Sequence, residues 1–134
     1  MKKITELTVR SYECDSYNHV NNAVYQNYLE YARVDYMDKV GFPYKEVVSK
    51  GYLMYVTHVD IYYKQSAYLE EKLFIETESV KLGAVRGTMH QVIRKEDGTE
   101  CVEADVTWAC VKDGKPTRIP PEYMVEGLKP EREN

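Results

Sequence analysis

The order of apolar and polar residues predicts one strand, one long helix and then a series of strands. Residues 4–13 alternate as in a strand. From Ala23 the apolar residues recur at spacings of three and four, which indicates a helix of about 18 residues with one buried stripe. A short second helix is expected over 43–50, which opens with a proline. The stripe of the long helix consists of Tyr25, Leu29, Ala32, Tyr36 and Val40.

The rest of the chain is strand-like, and no helix-length segment separates its strands, so the pairing is expected to be antiparallel. The resulting order, β-α-β-β-β-β, predicts an α+β fold in which a curved five-stranded sheet wraps around the long helix. Residues 1–134 are expected to form a single domain, with 122–134 as a charged tail that frays. The four later strands are expected at 52–64, 72–81, 85–95 and 100–112.

Unbroken alternation in the strand at 52–64 assigns its residues to two faces, both partly apolar. One face is expected to contain Leu53, Tyr55, Thr57, Val59, Ile61 and Tyr63.

Composition excludes several classes of protein. A net charge of −4 and a pI near 5.4 give no basic surface for nucleic acid. No apolar run approaches the ~18 residues of a membrane span, and no apolar segment follows the N-terminal lysines, so a cytoplasmic location is expected. Three cysteines without a C-x-x-C pair suggest neither a disulfide framework nor a zinc ribbon.

The residues that could take part in catalysis or metal binding are concentrated in "SYECDSYNHVNNAVYQNYLEYAR", residues 11–33. Asp15 comes shortly before the helix, whose first N–H groups and positive dipole end can hold an oxyanion. A carboxylate beside such donors suits acyl transfer, although Asp15 could equally brace a polar turn. His19 could bind a substrate carbonyl or be a structural hydrogen-bonding residue. The spacing of Cys14, Asp15 and His19 matches no familiar metal site.

The segment "ECDSYNHVNNAVYQNYLEYAR" resembles the signature D-x-D-x-x-G-H-V-N-N-x-x-Y-x-x-Y-x-E-x-A-R of hotdog-fold acyl-CoA thioesterases, of the 4-hydroxybenzoyl-CoA thioesterase type. The resemblance continues through "VDIYYKQSAYLEEKLFIETESVKLG" and "DGTECVEADVTWACVKDGKPTRIP", and so covers about residues 4–121. It implies a sheet that wraps around the helix, as the pattern predicts. It also implies a homodimer joined edge to edge, or a homotetramer, with the site at the dimer interface.

The resemblance further implies hydrolysis of an acyl-CoA thioester without a metal or a cofactor, since coenzyme A is part of the substrate. Asp15 takes the place of the carboxylate that acts as nucleophile or general base. The backbone N–H of Tyr25 matches the donor that polarises the thioester carbonyl. His19 and Asn22 fall on the "HVNN" positions, where they could orient the loop or the substrate carbonyl.

Two departures from the family pattern leave this carboxylate in place: Glu13 stands for the first aspartate of D-x-D, and Asn18 stands for the common glycine. The segment 83–89 corresponds to the part of the family that lies near the nucleotide of coenzyme A. Arg86, in this segment, and the more distant Lys64 and Lys81 could each also be an ordinary solvated residue. The expected substrate-binding residues are Arg86, Lys64, Lys81 and His58.

Proteins with two other functions share this fold. A hydratase or dehydratase would resemble G-D-x-N-P-x-H, whereas this chain has "CDSYNHVNN", which lacks the glycine and the proline. A non-catalytic dimer that binds an acyl thioester would have little need of Asp15. The acyl group stays open, and so does the choice between coenzyme A and a carrier protein as the thiol. Aromatic walls accommodate both aromatic and aliphatic chains, so the 13 tyrosines do not decide between acyl groups.

Overall fold

The structure is a computed structural model and describes residues 1–131. The last three residues of the predicted tail, 132–134, lie outside the described residues. The long helix, α1, spans Asn22–Lys39, and a short helix, α2, spans Tyr44–Ser49. Asn21 is the N-terminal cap of α1, because its side chain accepts a hydrogen bond from the Ala23 N–H.

The strands form one antiparallel sheet in the order β1-β3-β4-β5-β2, with the short β6 paired to β5. The sheet wraps around α1, so the predicted fold is confirmed; β6 is an addition that the pattern did not predict. The strands are β1 (Lys2–Thr8), β2 (Leu53–Tyr63), β3 (Lys72–Leu82), β4 (Arg86–Lys95), β5 (Glu100–Lys112) and β6 (Lys115–Pro116).

The core has two parts, which divide α1 between them. The first packs Tyr25, Leu29 and Ala32 against the middle of the sheet. The second surrounds the C-terminal end of α1, where Tyr36 and Met37 meet the loop after the helix and the end of β5. The stripe residues within α1 are therefore buried, as their spacing predicts, and Val40, just after the helix, is partly buried.

The C-terminal segment packs where the sequence predicts a frayed tail. Two short 3-10 helices span Pro121–Tyr123 and Glu126–Leu128, and Leu128 is fully buried in the second part of the core. The Tyr36 hydroxyl donates to the Gly127 carbonyl at 2.6 Å. Charge alone was a poor guide here, because the buried residues of this segment lie between its charged ones.

A bulge at Thr57 breaks the alternation that was predicted for β2. Val56 pairs with Trp108 and His58 pairs with Thr107, so Thr57 has no strand-pairing residue opposite it on β5. After the bulge Val59 and Ile61 pack against the first part of the core, whereas before it Met54, a residue of the opposite parity, packs against the second part. The predicted face is therefore correct for the second half of β2 and wrong for the first.

Within residues 1–131, neither helix combines the length and the apolar character that crossing a membrane requires. The same part of the chain contains no group of three or more His, Cys, Asp or Glu residues placed to hold a metal ion. The expectations of a cytoplasmic location and of a metal-free site stay predictions.

Candidate active site

Residues 13–21 form a tight loop that brings Asp15 to the N-terminal end of α1. The N–H of Asn21 donates to the Glu13 carbonyl at 3.1 Å, and the N–H of Asp15 donates to the His19 carbonyl at 2.8 Å. Between these bonds Cys14 and Val20 form an antiparallel bridge. The loop therefore starts and ends beside the helix cap, and Asp15 lies on its exposed side.

Backbone hydrogen bonds hold the carboxylate of Asp15 in one orientation. Its Oδ1 atom accepts from the N–H of Tyr17 at 2.9 Å and from the N–H of His19 at 3.1 Å. Its other oxygen, Oδ2, accepts no hydrogen bond from the described residues. Asn18, at the turn, has a φ of 63°, which asparagine tolerates better than most residues. The loop thus presents one carboxylate oxygen to whatever lies outside the protein.

His19 contributes its backbone to this loop and its ring to the loop's support. The ring packs edge-on against Tyr68 at a centroid distance of 4.8 Å, and His19 and Tyr68 form a β-bridge. Next to it, the N–H of Val20 donates to the Ala67 carbonyl at 2.9 Å. The structure places no hydrogen bond between the His19 ring and the Asp15 carboxylate.

The first turn of α1 provides N–H groups near the loop. The N–H of Ala23 donates to the side-chain oxygen of Asn21, and the N–H of Val24 donates to the backbone carbonyl of Asn21. The N–H of Asn22, in contrast, has no acceptor among residues 1–131. Tyr25 is the fourth residue of α1, the position at which the helical i→i−4 hydrogen bonds begin.

The side chain of Tyr25 has a structural role. It is buried, and its hydroxyl accepts the N–H of Ala67 at 2.9 Å. Burial raises the pKa of Tyr25, and the hydrogen bond from Ala67 only partly opposes this. Tyr25 therefore ties the start of α1 to the segment that supports His19.

Glu13 and Tyr28 connect the loop to the helix one turn further along. The Tyr28 hydroxyl donates to Glu13 Oε1 at 2.9 Å, and the same oxygen accepts the N–H of Arg10. Burial, followed by the contact with Glu13, strongly raises the pKa of Tyr28, so this hydroxyl stays protonated. Sequence reasoning placed Glu13 at the first position of D-x-D but did not find its partner. The fixed spacing of that position from the Y-x-x-Y tyrosines was the available signal.

The surroundings of Cys14 do not favour its thiol as a catalytic nucleophile. Its pKa is raised, by partial burial first and then by the charges of Asp15 and Glu13. A thiol in such surroundings stays protonated and is a poor nucleophile.

The predicted substrate-binding residues do not come together within one chain. Lys64 follows the Tyr63 end of β2, and its ammonium group binds Glu100 at 2.9 Å and Glu103 at 2.8 Å. These carboxylates, Glu103 first, raise the pKa of Lys64 and neutralise its charge locally. Arg86 lies instead in register with Ala109, and so at the Tyr55 end of the strand.

Tyr55 and Tyr63 are eight residues apart, which corresponds to about 26 Å along a strand. His58 lies between these ends and is exposed, and Lys81 lies near Arg86. The hydroxyl of Tyr63 reaches the Asn22 carbonyl at 3.4 Å, which identifies the Tyr63 end of β2 as the end beside the Asp15 loop. Arg86 and Lys81 are therefore at the far end of the same chain.

A cleft between α1 and β2 was not predicted from the sequence. Its deep part has a volume of about 50 Å³, and it opens into a groove of about 400 Å³ that follows the edge of β2. Glu30 and Arg33 line both parts, and both belong to the E-x-A-R end of the motif, which sequence reasoning used only for the resemblance. The other residues shared by the two parts are Met54 and Val56.

Comparison with known proteins adds a family match, a curated relative and two solved structures to this geometry. Residues 9–126 match the model of the thioesterase-like superfamily. The long-chain acyl-CoA thioesterase FadM of Escherichia coli is 32% identical over 108 residues, which are 80% of this chain and 81% of that protein.

Two solved structures are similar as well. A hypothetical protein from Aquifex aeolicus has a TM-score of 0.88 at 27% identity, over 95% of this chain and 99% of its own. A DHNA-CoA thioesterase from Staphylococcus aureus has a TM-score of 0.84 at 29% identity, over 87% of this chain and 80% of its own. These similarities agree with the predicted hotdog fold and extend over both the Asp15 loop and the sheet.

Proposed function

Because the chain belongs to the thioesterase-like superfamily and is a thioesterase, we propose that it hydrolyses acyl-CoA substrates with Asp15 as its catalytic carboxylate. The observation that supports this most strongly is the Asp15 loop, which holds one carboxylate oxygen by two N–H groups and exposes the other beside the start of α1. The finer assignment to the 4-hydroxybenzoyl-CoA type stays a prediction.

The chemistry follows from this placement. The thioester carbonyl docks at the first turn of α1, where a backbone N–H and the helix dipole stabilise the negative charge that develops on its oxygen. Tyr25 is the predicted donor, and the N–H of Asn22 is a second donor that has no acceptor among residues 1–131. Asp15 either takes a proton from the attacking water or attacks the carbonyl carbon itself. In the first route the water oxygen bonds to the carbonyl carbon, the carbon–sulfur bond breaks, and the proton taken by Asp15 passes to the leaving thiolate. In the second route the carbon–sulfur bond breaks as the acyl group moves to Asp15 as an anhydride; a water then hydrolyses the anhydride, and one of its protons goes to the thiolate. Both routes release coenzyme A as the thiol and the acyl group as the acid. His19 keeps the loop in position through its N–H and its ring, and Asn22, at the start of α1, is the residue predicted to orient the substrate carbonyl with it.

The test compares wild type with Asp15→Asn on a panel of long-chain, short-chain and aromatic acyl-CoAs, with thiol release as the readout. We expect the substitution to lower hydrolysis by ~100-fold or more without loss of folded protein. Asp38→Asn is the matched control, because Asp38 is an exposed carboxylate at the other end of α1. Undiminished hydrolysis by folded Asp15→Asn would contradict the proposal.

Two further substrates separate the alternatives. Crotonyl-CoA, monitored by its enoyl absorbance, reports a hydratase, and we expect no hydration. An acyl thioester on a carrier protein tests the identity of the thiol. The names of FadM and of the S. aureus thioesterase share coenzyme A and differ in the acyl group, so the panel decides the acyl class.

We also propose that the active form contains a dimer joined through β2. This strand has 11 residues, pairs within residues 1–131 only with β5, and exposes Tyr55 (51%) and Val56 (46%) at the edge of the sheet. Two β2 strands that pair antiparallel about their middle bring the Tyr63 end of one against the Leu53 end of the other. The partner's Arg86 then comes to the side of the Asp15 loop, where a CoA phosphate can reach it.

Sedimentation velocity tests the dimer. We expect wild type to sediment as a dimer or as a tetramer built from such dimers, and Val56→Lys to dissociate it. Val48→Lys is the control, because Val48 is an apolar residue of similar exposure on α2. A monomeric and active wild type would contradict this part of the proposal.

A nucleotide-dependent assay tests Arg86. We expect Arg86→Ala to raise KM for an acyl-CoA but not for a short acyl thioester that lacks the nucleotide. Lys64→Ala should change neither value, because Glu100 and Glu103 already neutralise Lys64. Equal effects of Arg86→Ala on both substrates would rule out a phosphate contact.

A further inference from the structure

Arg33 is a half-buried cation whose hydrogen bonds within residues 1–131 are incomplete. One guanidinium nitrogen donates to Gln91 Oε1 at 3.1 Å. Gln91 is fully buried and donates in turn to the Leu29 carbonyl and the Thr77 hydroxyl, both at 3.0 Å. A guanidinium has five N–H donors, and within residues 1–131 Gln91 provides the one acceptor that Arg33 uses. Arg33 also lines the cleft between α1 and β2.

Glu30 lies in the same cleft and is complementary to Arg33. Its carboxylate is exposed and forms neither a hydrogen bond nor a salt bridge in the part of the chain that the structure describes. A buried guanidinium is costly without an anionic or hydrogen-bonding partner, and the planar pair of Arg with a carboxylate meets that need well. Both charges are thus present, three residues apart on one helix, and they do not bind each other.

The size of the cleft favours a side chain over a ligand. The deep part, at about 50 Å³, is well below the ~300 Å³ or more of typical small-molecule sites. The outer groove is larger but open, and it follows β2, the edge proposed above to pair with a second copy. A carboxylate that enters from the edge of β2 would reach Arg33 through this opening.

We propose that α1 of a second copy covers this groove, and that Glu30 of each chain binds the partner's Arg33. The inference rests on the dimer proposed above. In one chain α1 follows β2 in the opposite direction, because Tyr63 contacts Asn22 while Val56 lines the cleft with Arg33. A two-fold axis through the middle of β2 therefore places the two α1 helices antiparallel and side by side.

The position of Glu30 makes the contact reciprocal. The middle of α1, which spans Asn22–Lys39, falls between residues 30 and 31. In an antiparallel pair of helices about a central axis, Glu30 of one helix faces the partner's helix within one turn of Arg33. A two-fold interface repeats every contact, so each dimer contains two such ion pairs.

The first test mixes two charge-reversal variants. Alone, Glu30→Arg places two cations at each contact and Arg33→Glu places two anions, so we expect the dimer Kd of each to rise by about 30-fold or more. In a mixed dimer both contacts again join opposite charges. We therefore expect an equimolar mixture to regain a heterodimer in sedimentation velocity, and to regain hydrolysis with it.

The mixture also excludes a pair within one helix. Residues at i and i+3 can form an ion pair along the same chain, and a chain with both reversals would restore that pair as well. Two chains that each carry one reversal restore only contacts between chains. A mixture that stays dissociated would overturn the proposal, and so would a variant that keeps its dimer but loses hydrolysis, because Arg33 would then contact the substrate.

A second test does not require Arg33→Glu to fold. Arg33→Lys keeps the charge and provides an amine that a carbodiimide can couple to a carboxylate. In a mixture of ¹⁴N- and ¹⁵N-labelled Arg33→Lys protein, we expect an isotopically mixed cross-linked peptide that joins residue 33 to Glu30. The added substitution Glu30→Gln should abolish it, with far-UV circular dichroism as the check of fold.

The outcomes separate this inference from the function proposed above. Cross-links found only within single chains would overturn the ion pair but leave the dimer intact. A wild type that sediments as a monomer would overturn both. Loss of hydrolysis in Asp15→Asn tests the catalytic assignment and depends on neither result.

Discussion

The two ends of α1 differ in what surrounds them. At the N-terminal end, the Asp15 loop is exposed and is held by backbone hydrogen bonds and by the cap residue Asn21. At the C-terminal end, Tyr36 is fully buried, and Phe42 and Leu128 pack around the helix from two other segments. One end is thus shaped by polar contacts over a few residues, and the other by apolar burial across the chain.

If Asp15 is the catalytic carboxylate, as proposed above, the two ends of α1 divide stability and catalysis between them. Packed interiors resist displacement, so the C-terminal end determines where α1 lies against the sheet. The N-terminal end then presents the carboxylate and the first-turn N–H groups to solvent at a defined place. Substitutions at the two ends should therefore affect different measurements, and four experiments test this.

The largest effect is expected for Phe42→Ala at the C-terminal end. Phe42 is fully buried against Tyr123, so its truncation should lower the free energy of unfolding by about 3–5 kcal/mol. Denaturant titration measures this, and kcat of the folded fraction should stay near that of wild type. Phe42→Leu should cost less, because it keeps most of the apolar volume. A large fall in kcat would show that the two ends are coupled.

The next largest effect is expected for Gly127→Ala. A methyl group on Gly127 would overlap the side chain of Val40, just beyond the end of α1. We expect a loss of about 1–3 kcal/mol in the free energy of unfolding, with kcat retained. Gly83→Ala is the control, because its added methyl would make only an ordinary contact, at 3.5 Å from the Arg86 carbonyl. Equal stability of the two variants would contradict the tight packing of the C-terminal segment.

Tyr28→Phe tests the N-terminal end. It removes the hydroxyl that binds Glu13 and keeps the ring, so the cost in stability should be about 1 kcal/mol. Because the loop loses its tie to α1, kcat should fall on the order of tenfold while KM changes little. Tyr12→Phe, at an exposed tyrosine, should change neither quantity. An unchanged kcat in Tyr28→Phe would mean that the backbone bonds alone hold Asp15.

The smallest effect is expected for Asp35→Asn, and it depends on pH. Burial alone would raise the pKa of Asp35, but hydrogen bonds from Lys39 and Thr5 and the charge of Lys39 bring it below its usual 3.8. The carboxylate therefore stabilises the fold above pH 3.8, and this contribution is lost as the pH falls through the folded-state pKa.

At pH 7 the substitution should lower the free energy of unfolding by about 1 kcal/mol or less, and at pH values well below 3.8 by nothing measurable. Thermal unfolding across this range is the measurement, with exposed Asp38→Asn as the control. A difference that persists at low pH would show that Asp35 acts by packing and not by charge.

Local patterns were enough to predict most of the architecture. The spacing of Tyr25, Leu29 and Ala32 predicts α1, and the change of pattern at Ala23 predicts its start to within one residue. The absence of a helix between the later strands predicts antiparallel pairing. Asp15 was recognisable because a carboxylate next to a helix start is a local feature, and because the motif around it is dense.

The errors share one cause, which is that distant segments decided the outcome. The bulge at Thr57 exists only in the pairing of β2 with β5, and the packing of Leu128 depends on a pocket made by other segments. The ion pairs of Lys64 with Glu100 and Glu103 also join residues on different segments, while the role of Lys64 in substrate binding stays a prediction. None of these contacts can be predicted from the pattern of neighbouring residues.

The sequence by itself determined the elements of this protein, its thioesterase signature and the place of Asp15 before α1, because periodicity, capping and motif spacing act over neighbouring residues. Only the tertiary structure decided which cations keep their charge available, how Glu13 and Tyr28 support the loop, and that Arg33 and Glu30 face one cleft without binding each other. Those outcomes depend on burial and on hydrogen bonds between segments far apart in the chain, and these exist only once the sheet has closed around the helix.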